Sequence, residues 1–194
     1  MAAKRVVVVL GSPRKEGNSA ALAKRAMAGA KASGADVEAF YLHGMQIAPC
    51  RACDECRQDP AQDCVIDDAM KAVYPKLRRA DALVIASPIY WFTMSAQTKL
   101  FLDRCYALGG PDGHALRGKQ IGILLTYADA DPFSSGAVNA LRTFQDSFSY
   151  IGAEIVGMLY GSAWHAGEIR ENTALLKQAY ELGKQLGSGP RQTR

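Results

Sequence analysis

The sequence has no long apolar run. A transmembrane helix needs about 20 consecutive apolar residues, and no segment of the 194 residues approaches that length. Lys4 and Arg5 precede the apolar segment Val6–Leu10 in the manner of a secretory signal, but this segment is too short for the hydrophobic region of a signal peptide. We therefore read Val6–Leu10 as a first strand and expect a cytoplasmic protein without membrane contact.

Excess charge of either sign is also scarce. The 23 basic and 19 acidic residues leave a net charge of +4, and part of that excess lies in the polar tail 188–194, which we expect to be flexible. The other basic residues form no stripe, so we expect no nucleic-acid partner. Because 48% of the residues are hydrophobic, residues 1–187 can form a single domain with a continuous core.

Two common nucleotide-binding motifs are missing. The chain has no G-x-G-x-x-G, and its second predicted strand ends at Phe40–His43 without the acidic residue that would hold an NAD ribose. It also has no G-K-[ST], which excludes a P-loop for NTP hydrolysis. These absences argue against a dinucleotide or triphosphate site and leave a mononucleotide open.

Short apolar runs alternate with helical patterns along the chain. Three runs are continuous, as in strands buried on both faces of a parallel sheet: Val6–Leu10, Ala82–Ala86 and Ile121–Leu125. Val37–Leu42 and Glu154–Tyr160 are mixed, which suits edge strands. The pattern predicts an α/β fold with a doubly wound, five-stranded parallel sheet of flavodoxin-like order 2-1-3-4-5 and helices on both faces.

Helix start signals accompany these strands. Asn18 or Ser19 is the predicted N-cap of the first helix, Asp67 or Asp68 of the second, and Ser95 of the third. Ligands of doubly wound sheets bind outside the carboxyl ends of the strands, where the strand order switches. We therefore expect the site in the loops that follow strands one and three.

The segment Gly11–Ser19 links the first strand to the first helix. A helix N-terminus offers free N–H groups and the positive end of a dipole to a phosphate. The segment adds donor side chains, a guanidinium that can pair bidentately with a phosphate, and glycines that allow tight turns. An ordinary polar turn is the alternative reading. The predicted phosphate-binding residues are Ser12, Arg14, Gly17, Asn18 and Ser19.

Three adjacent aromatic residues, Tyr90, Trp91 and Phe92, follow the third strand at the same edge of the sheet. An isoalloxazine ring needs an apolar wall and backbone groups for its polar edge. Three consecutive side chains cannot all face one ligand, so packing in a core or subunit interface is the alternative for some of them.

These motifs together resemble the NADPH-dependent FMN reductase superfamily: G-S-P-R-x-x-G-N-S after strand one, and S-P-I-Y-W and K-L-F-L-D-R after strand three. The resemblance covers nearly the whole chain. It implies a dimer or tetramer with the flavin near a subunit interface. The FMN contacts that it implies are Ser12, Arg14, Asn18 and Ser19 at the phosphate, Pro88, Ile89, Tyr90, Trp91 and Phe92 at the ring, and Thr126, Tyr127 and Ala128 as a further wall.

Four of the five cysteines lie in the segment 43–65, an unusually long connection between a strand and a helix. Their spacing is C-x2-C-x2-C-x7-C, at Cys50, Cys53, Cys56 and Cys64. Thiolates three residues apart on a curled loop can converge on one metal centre, and zinc, redox thiols or an empty loop remain alternatives. The pattern resembles the iron–sulfur flavoprotein branch of the superfamily, which implies that these four cysteines ligate a [4Fe–4S] cluster.

Together these features predict an FMN-dependent oxidoreductase that passes electrons between NAD(P)H or ferredoxin and a small acceptor. A flavin takes up two electrons as a hydride and can release them singly, while an iron–sulfur cluster carries one. No side chain is required as a general acid or base, and we predict no catalytic residue. The alternatives are an NAD(P)H:acceptor reductase without a cluster, a non-enzymatic flavodoxin-like carrier, and a zinc-stabilised module without flavin.

Overall fold

The structure, a computed structural model, describes residues 2–59 and 62–188. The tail predicted over 188–194 lies, beyond Ser188, outside the described residues. The elements in chain order are β1 (Arg5–Leu10), α1 (Asn18–Ala32), β2 (Asp36–Tyr41), α2 (Glu55–Gln58), α3 (Met70–Arg79), β3 (Ala82–Tyr90), β4 (Thr93–Met94), α4 (Ala96–Arg104), β5 (Gly109–Gly110), β6 (Gly113–His114), β7 (Gln120–Tyr127), α5 (Ala137–Tyr150), β8 (Glu154–Ser162) and α6 (Thr173–Gly187).

Five parallel strands form the main sheet in the order β2-β1-β3-β7-β8. Without the two-residue strands β4, β5 and β6 this is the order 2-1-3-4-5, and the predicted flavodoxin-like sheet is confirmed. The mixed strands β2 and β8 lie at the edges, as predicted. Leu10 pairs with both Tyr41 and Ala86, so β1, β2 and β3 reach the same edge of the sheet together.

The two faces of the sheet bury two separate cores. Successive side chains of a strand point to opposite faces, so Val7 and Val9 join a core with α3, α4 and α5. Val6 and Val8 join the other core with α1 and α6. This alternation explains why the central strands are continuous apolar runs, since both of their faces are covered by helices.

Helices α1 and α6 touch through their backbones. A Cβ atom on Gly183 would lie 1.9 Å from the carbonyl oxygen of Ala26, so only glycine fits at this crossing. The contact packs α1 closely against α6 on the same face of the sheet.

The helix caps differ in part from prediction. Ser95 caps α4 and accepts the N–H of Thr98, as predicted. For α1 the prediction is wrong: the N-cap is Gly17, which has no side chain that could cap the helix. Asn18 is the first residue of the helix, and its side chain bonds to the segment after β8. Before α3, Ala69 occupies the N-cap, while Asp68 Oδ1 accepts the N–H of Met70 at 2.9 Å.

Within the described ranges, no helix combines the length and apolar character that a bilayer crossing requires.

Candidate functional site

The loop after β1 is fixed to the neighbouring strand and helix. The N–H of Gly11 donates to the carbonyl of Ala86 at 2.8 Å, and Ser95 Oγ donates to the carbonyl of Gly11 at 2.8 Å. A Cβ on Gly11 would lie 1.9 Å from Thr98 Oγ1. Because only a glycine allows this approach, the loop starts directly against the N-terminus of α4.

The loop then folds back on itself to present the start of α1. The N–H of Arg14 donates to Ser12 Oγ at 3.1 Å, and the N–H of Gly17 donates to the carbonyl of Arg14 at 3.0 Å. The first helical bond runs from Ala21 to Gly17. The amides of residues 18–20 are therefore available at the positive end of an uncapped helix, which suits an anion.

Ser19 places an unsatisfied hydroxyl at this helix start. The residue is 1% exposed, and among the described residues its Oγ has no hydrogen-bond partner. A buried polar group without a partner costs about 1–3 kcal/mol, so such a group indicates a missing acceptor. A phosphate oxygen at the helix N-terminus fits this requirement.

An open cleft lies above the loop at the carboxyl edge of the sheet. The cleft brings together most of the residues that the sequence predicted as FMN contacts: Ser12, Arg14, Gly17, Asn18, Ser19, Pro88, Ile89, Tyr90, Thr126, Tyr127 and Ala128.

Trp91 and Phe92 lie outside this cleft. They form the two-residue turn between β3 and β4, with φ of +48° and +67°, in a region that non-glycine residues rarely adopt. Trp91 is 91% exposed and Phe92 53% exposed. The side chain of Asn139 in α5 donates to the carbonyl of Phe92 at 3.0 Å and holds the turn in place.

Sequence reasoning missed one wall of the cleft. Ala163, Trp164 and Ala166, in the segment that follows β8, also line it. Their position after the last strand, at the carboxyl edge of the sheet, was the available signal. The carboxamide of Asn18 bonds to this segment through both of its polar atoms.

Tyr127, at the end of β7, is one of the residues that line the cleft. Burial, together with the nearby Tyr160 and Asp131, raises the pKa of Tyr127 above its ordinary value. The hydroxyl therefore remains protonated at neutral pH and can donate a hydrogen bond.

The four clustered cysteines lie on an irregular segment that contains the short helix α2. All four are free thiols: Cys50 and Cys53 are exposed, Cys56 is buried and Cys64 is partly buried. Burial raises the pKa of the Cys56 thiol; Arg57 opposes this, and Cys64 and Cys53 add to it. Within residues 2–59 and 62–188 no three Cys, His, Asp or Glu side chains are placed to hold a metal.

A buried ion pair anchors the start of this segment. Arg104, at the end of α4, is 1% exposed and bonds through Nη1 to Asp68 and to the carbonyl of Ala48, the latter at 2.8 Å. Asp68 also accepts the N–H of Ala48 at 2.9 Å. Burial alone would raise the pKa of Asp68, but the bonds from Arg104, Ala48 and Met70 hold it below its ordinary value.

Comparison with known proteins agrees with this geometry. The family model for NADPH-dependent FMN reductase matches residues 4–168. The chain belongs to this family. It is 31% identical to an iron–sulfur flavoprotein of Methanosarcina thermophila over 186 residues, covering 94% of this chain and 93% of that protein. It is 30% identical to an iron–sulfur flavoprotein of Archaeoglobus fulgidus over 184 residues, covering 94% and 78%. The predicted resemblance to the iron–sulfur flavoprotein branch is confirmed.

A solved structure shows the same fold. The NAD(P)H:quinone oxidoreductase from Methanothermobacter marburgensis superimposes with a TM-score of 0.73 at 18% identity, covering 97% of this chain and all of that one. As a member of the FMN reductase family, the protein is an FMN-dependent NAD(P)H oxidoreductase.

Proposed function

We propose that the cleft binds FMN with its phosphate at the N-terminus of α1. The observation that carries this proposal is the buried hydroxyl of Ser19, which has no acceptor within the described chain. Ser12 Oγ, already bonded by the N–H of Arg14, still has its own proton to donate. The exposed guanidinium of Arg14 supplies charge, and the amides of residues 18–20 complete the cradle.

The flavin ring then lies along the ends of β3 and β7. Pro88, Ile89 and Tyr90 form one wall, and residues 126–128 form another. When bound, FMN supplies the redox chemistry, since it accepts a hydride as two electrons and can release them singly. The role of the chain is to bind and orient the flavin.

We propose further that Cys50, Cys53, Cys56 and Cys64 ligate a [4Fe–4S] cluster. The donor set fits, because four free thiols occur in one segment with spacing typical of cluster ligands. The names of the iron–sulfur flavoprotein relatives add support. The described conformation does not gather these thiols, so cluster binding would require the segment to rearrange. That same observation favours a second candidate, an NAD(P)H:acceptor reductase without a cluster.

The family supports NAD(P)H as the electron donor. Ferredoxin is the alternative donor that we propose, and the proposed acceptor is a small molecule such as a quinone. We propose a homodimer or homotetramer with the flavin near a subunit interface. The free cysteines are compatible with a reducing, cytoplasmic location.

The visible spectrum of anaerobically purified protein, recorded before and after FMN is added, tests both cofactors. We expect flavin absorbance on the protein, and iron and sulfide analysis near four of each per chain. Failure to bind FMN would refute the flavin site. Bound flavin without iron would support the second candidate, the reductase without a cluster. Steady-state NADPH oxidation by the purified protein separates either enzyme from a carrier, which would show negligible turnover.

A further inference from the structure

The side chain of Asn18 is fully occupied by a segment far away in sequence. Its Nδ2 donates to the carbonyls of Ala163 at 3.3 Å and His165 at 2.9 Å. Its Oδ1 accepts the N–H groups of Gly167 at 2.7 Å and Ile169 at 3.3 Å. A carboxamide offers two donor hydrogens and two acceptor sites, so these four bonds leave no capacity for a ligand phosphate.

The orientation of this carboxamide is set by its partners. Rotating it by half a turn would direct its oxygen at the two carbonyls of Ala163 and His165 and its NH₂ at the two N–H groups. Both contacts would then be repulsive. The orientation with Nδ2 toward the carbonyls and Oδ1 toward the N–H groups is therefore the correct one. Asn18 is therefore a bridge between the phosphate loop and the segment 163–169.

The hydrogen bonds of Asn18 hold the backbone on both sides of Trp164. The two carbonyls that accept from Asn18 belong to the residues on either side of this tryptophan, which lines the cleft and is 66% exposed. The start of the segment is also tied to the end of β7, where the N–H of Ala163 donates to the carbonyl of Tyr127 at 2.7 Å. The backbone on both sides of Trp164 is thus fixed relative to the cleft.

We propose that Asn18 is a positioning residue for the Trp164 wall of the cleft and contacts the flavin phosphate only through its backbone amide. The proposal rests on FMN binding in this cleft. The Asn18 side chain thereby affects binding of the part of the flavin beyond the phosphate. The neighbouring Ser19 hydroxyl donates to the phosphate itself.

Riboflavin, which lacks the phosphate, separates the two roles. In Asn18→Ala we expect the affinities for FMN and riboflavin to fall by the same factor, about tenfold or more. In Ser19→Ala we expect FMN affinity alone to fall. Asn172 is a matched control, since it caps α6 outside the cleft, and Asn172→Ala should leave the affinities for both flavins unchanged.

Hydrogen exchange gives a readout that does not depend on flavin. The amides of Gly167 and Ile169 should exchange faster in Asn18→Ala. In the isosteric Asn18→Asp one oxygen can still accept from Gly167 and Ile169, but the other faces the carbonyls of Ala163 and His165 and repels them. Exchange at Gly167 and Ile169 should therefore be faster than in wild type in this variant too. Asn18→Asp should still weaken riboflavin binding, and it serves as the main variant if Asn18→Ala does not fold.

Two results would overturn the proposal. One is a loss of FMN affinity in Asn18→Ala with unchanged riboflavin affinity, which would mean that the side chain holds the phosphate. The other is unchanged exchange at Gly167 and Ile169, which would mean that the bridge does not exist. If the wild-type chain binds neither flavin, the proposed function fails and the flavin-positioning role fails with it, while the exchange experiment separately tests the bridge.

Discussion

Replacing Arg104 by Met should destabilise the protein strongly without touching the cleft. The substitution keeps most of the length and apolar stem of the side chain but removes its charge. It leaves the carboxylate of Asp68, which is 8% exposed, with two backbone donors and no countercharge. It also removes the donor to the carbonyl of Ala48, one of the hydrogen bonds between the cysteine segment and α4.

The magnitude follows from this geometry. Removing one partner of a buried ion pair leaves an uncompensated charge and costs about 3–5 kcal/mol of unfolding free energy. For a chain of this length we expect a decrease of roughly 6–20 °C in melting temperature. Urea unfolding followed by circular dichroism measures the loss. Arg142→Met is the matched control, because the Arg142–Asp146 pair on α5 is exposed and its removal should change little.

The effect should also depend on pH. Because the folded-state pKa of Asp68 lies below its ordinary value of 3.8, its contribution to stability is fully present above that value. It is lost as the pH falls through the folded-state pKa. The unfolding free energies of Arg104→Met and wild type should therefore differ most at neutral pH, and this difference should become smaller below about pH 4. Equal losses for Arg104→Met and Arg142→Met would refute the reasoning.

Three further substitutions test other parts of the account. Gly11→Ala should weaken FMN binding at least tenfold, since its Cβ would collide with Thr98 Oγ1; a titration showing normal affinity would contradict this. Trp91→Gly should raise the unfolding free energy by about 0.5–1 kcal/mol, because glycine adopts positive φ without strain and the lost indole is exposed. A lower unfolding free energy in urea than in wild type would show that the indole makes stabilising contacts. Cys64→Ser should lose iron and sulfide after anaerobic purification while Cys105→Ser, at a buried position outside the motif, keeps both; equal iron in the two variants would argue against ligation by Cys64.

The sheet could be predicted because its signal is local. Strands covered by helices on both faces must be apolar at every position, and Val6–Leu10 and Ile121–Leu125 are continuous runs for that reason. The mixed runs could be placed at the edges by the same argument. The strand order then located the site at the carboxyl ends of β1 and β3, where the cleft lies.

The role of Asn18 could not be predicted because it is a tertiary contact. Its residue type showed that it could donate and accept hydrogen bonds, but its partners begin 145 residues further along the chain. Trp164 differs from Asn18, because its position directly after the last strand signalled the carboxyl edge of the sheet, where β8 ends beside β7.

The aromatic turn and the cysteine segment show a second limit. Nothing in Tyr-Trp-Phe signals a tight turn with positive φ, a conformation that usually requires Asn or Gly. The position of Trp91 outside the cleft therefore emerged only with the hairpin between β3 and β4. For the cysteines, spacing identified a ligand set, but it could not define the conformation of the loop that carries them.

FMN affinity of Arg14→Ala tests the central claim most directly. If the flavin phosphate lies at the start of α1, loss of one charged hydrogen bond removes about 1.5–3 kcal/mol, and FMN should bind about tenfold or more weakly than to wild type. Riboflavin should bind equally well to both proteins. Unchanged FMN affinity in Arg14→Ala would contradict the placement of the phosphate in the loop Gly11–Ser19.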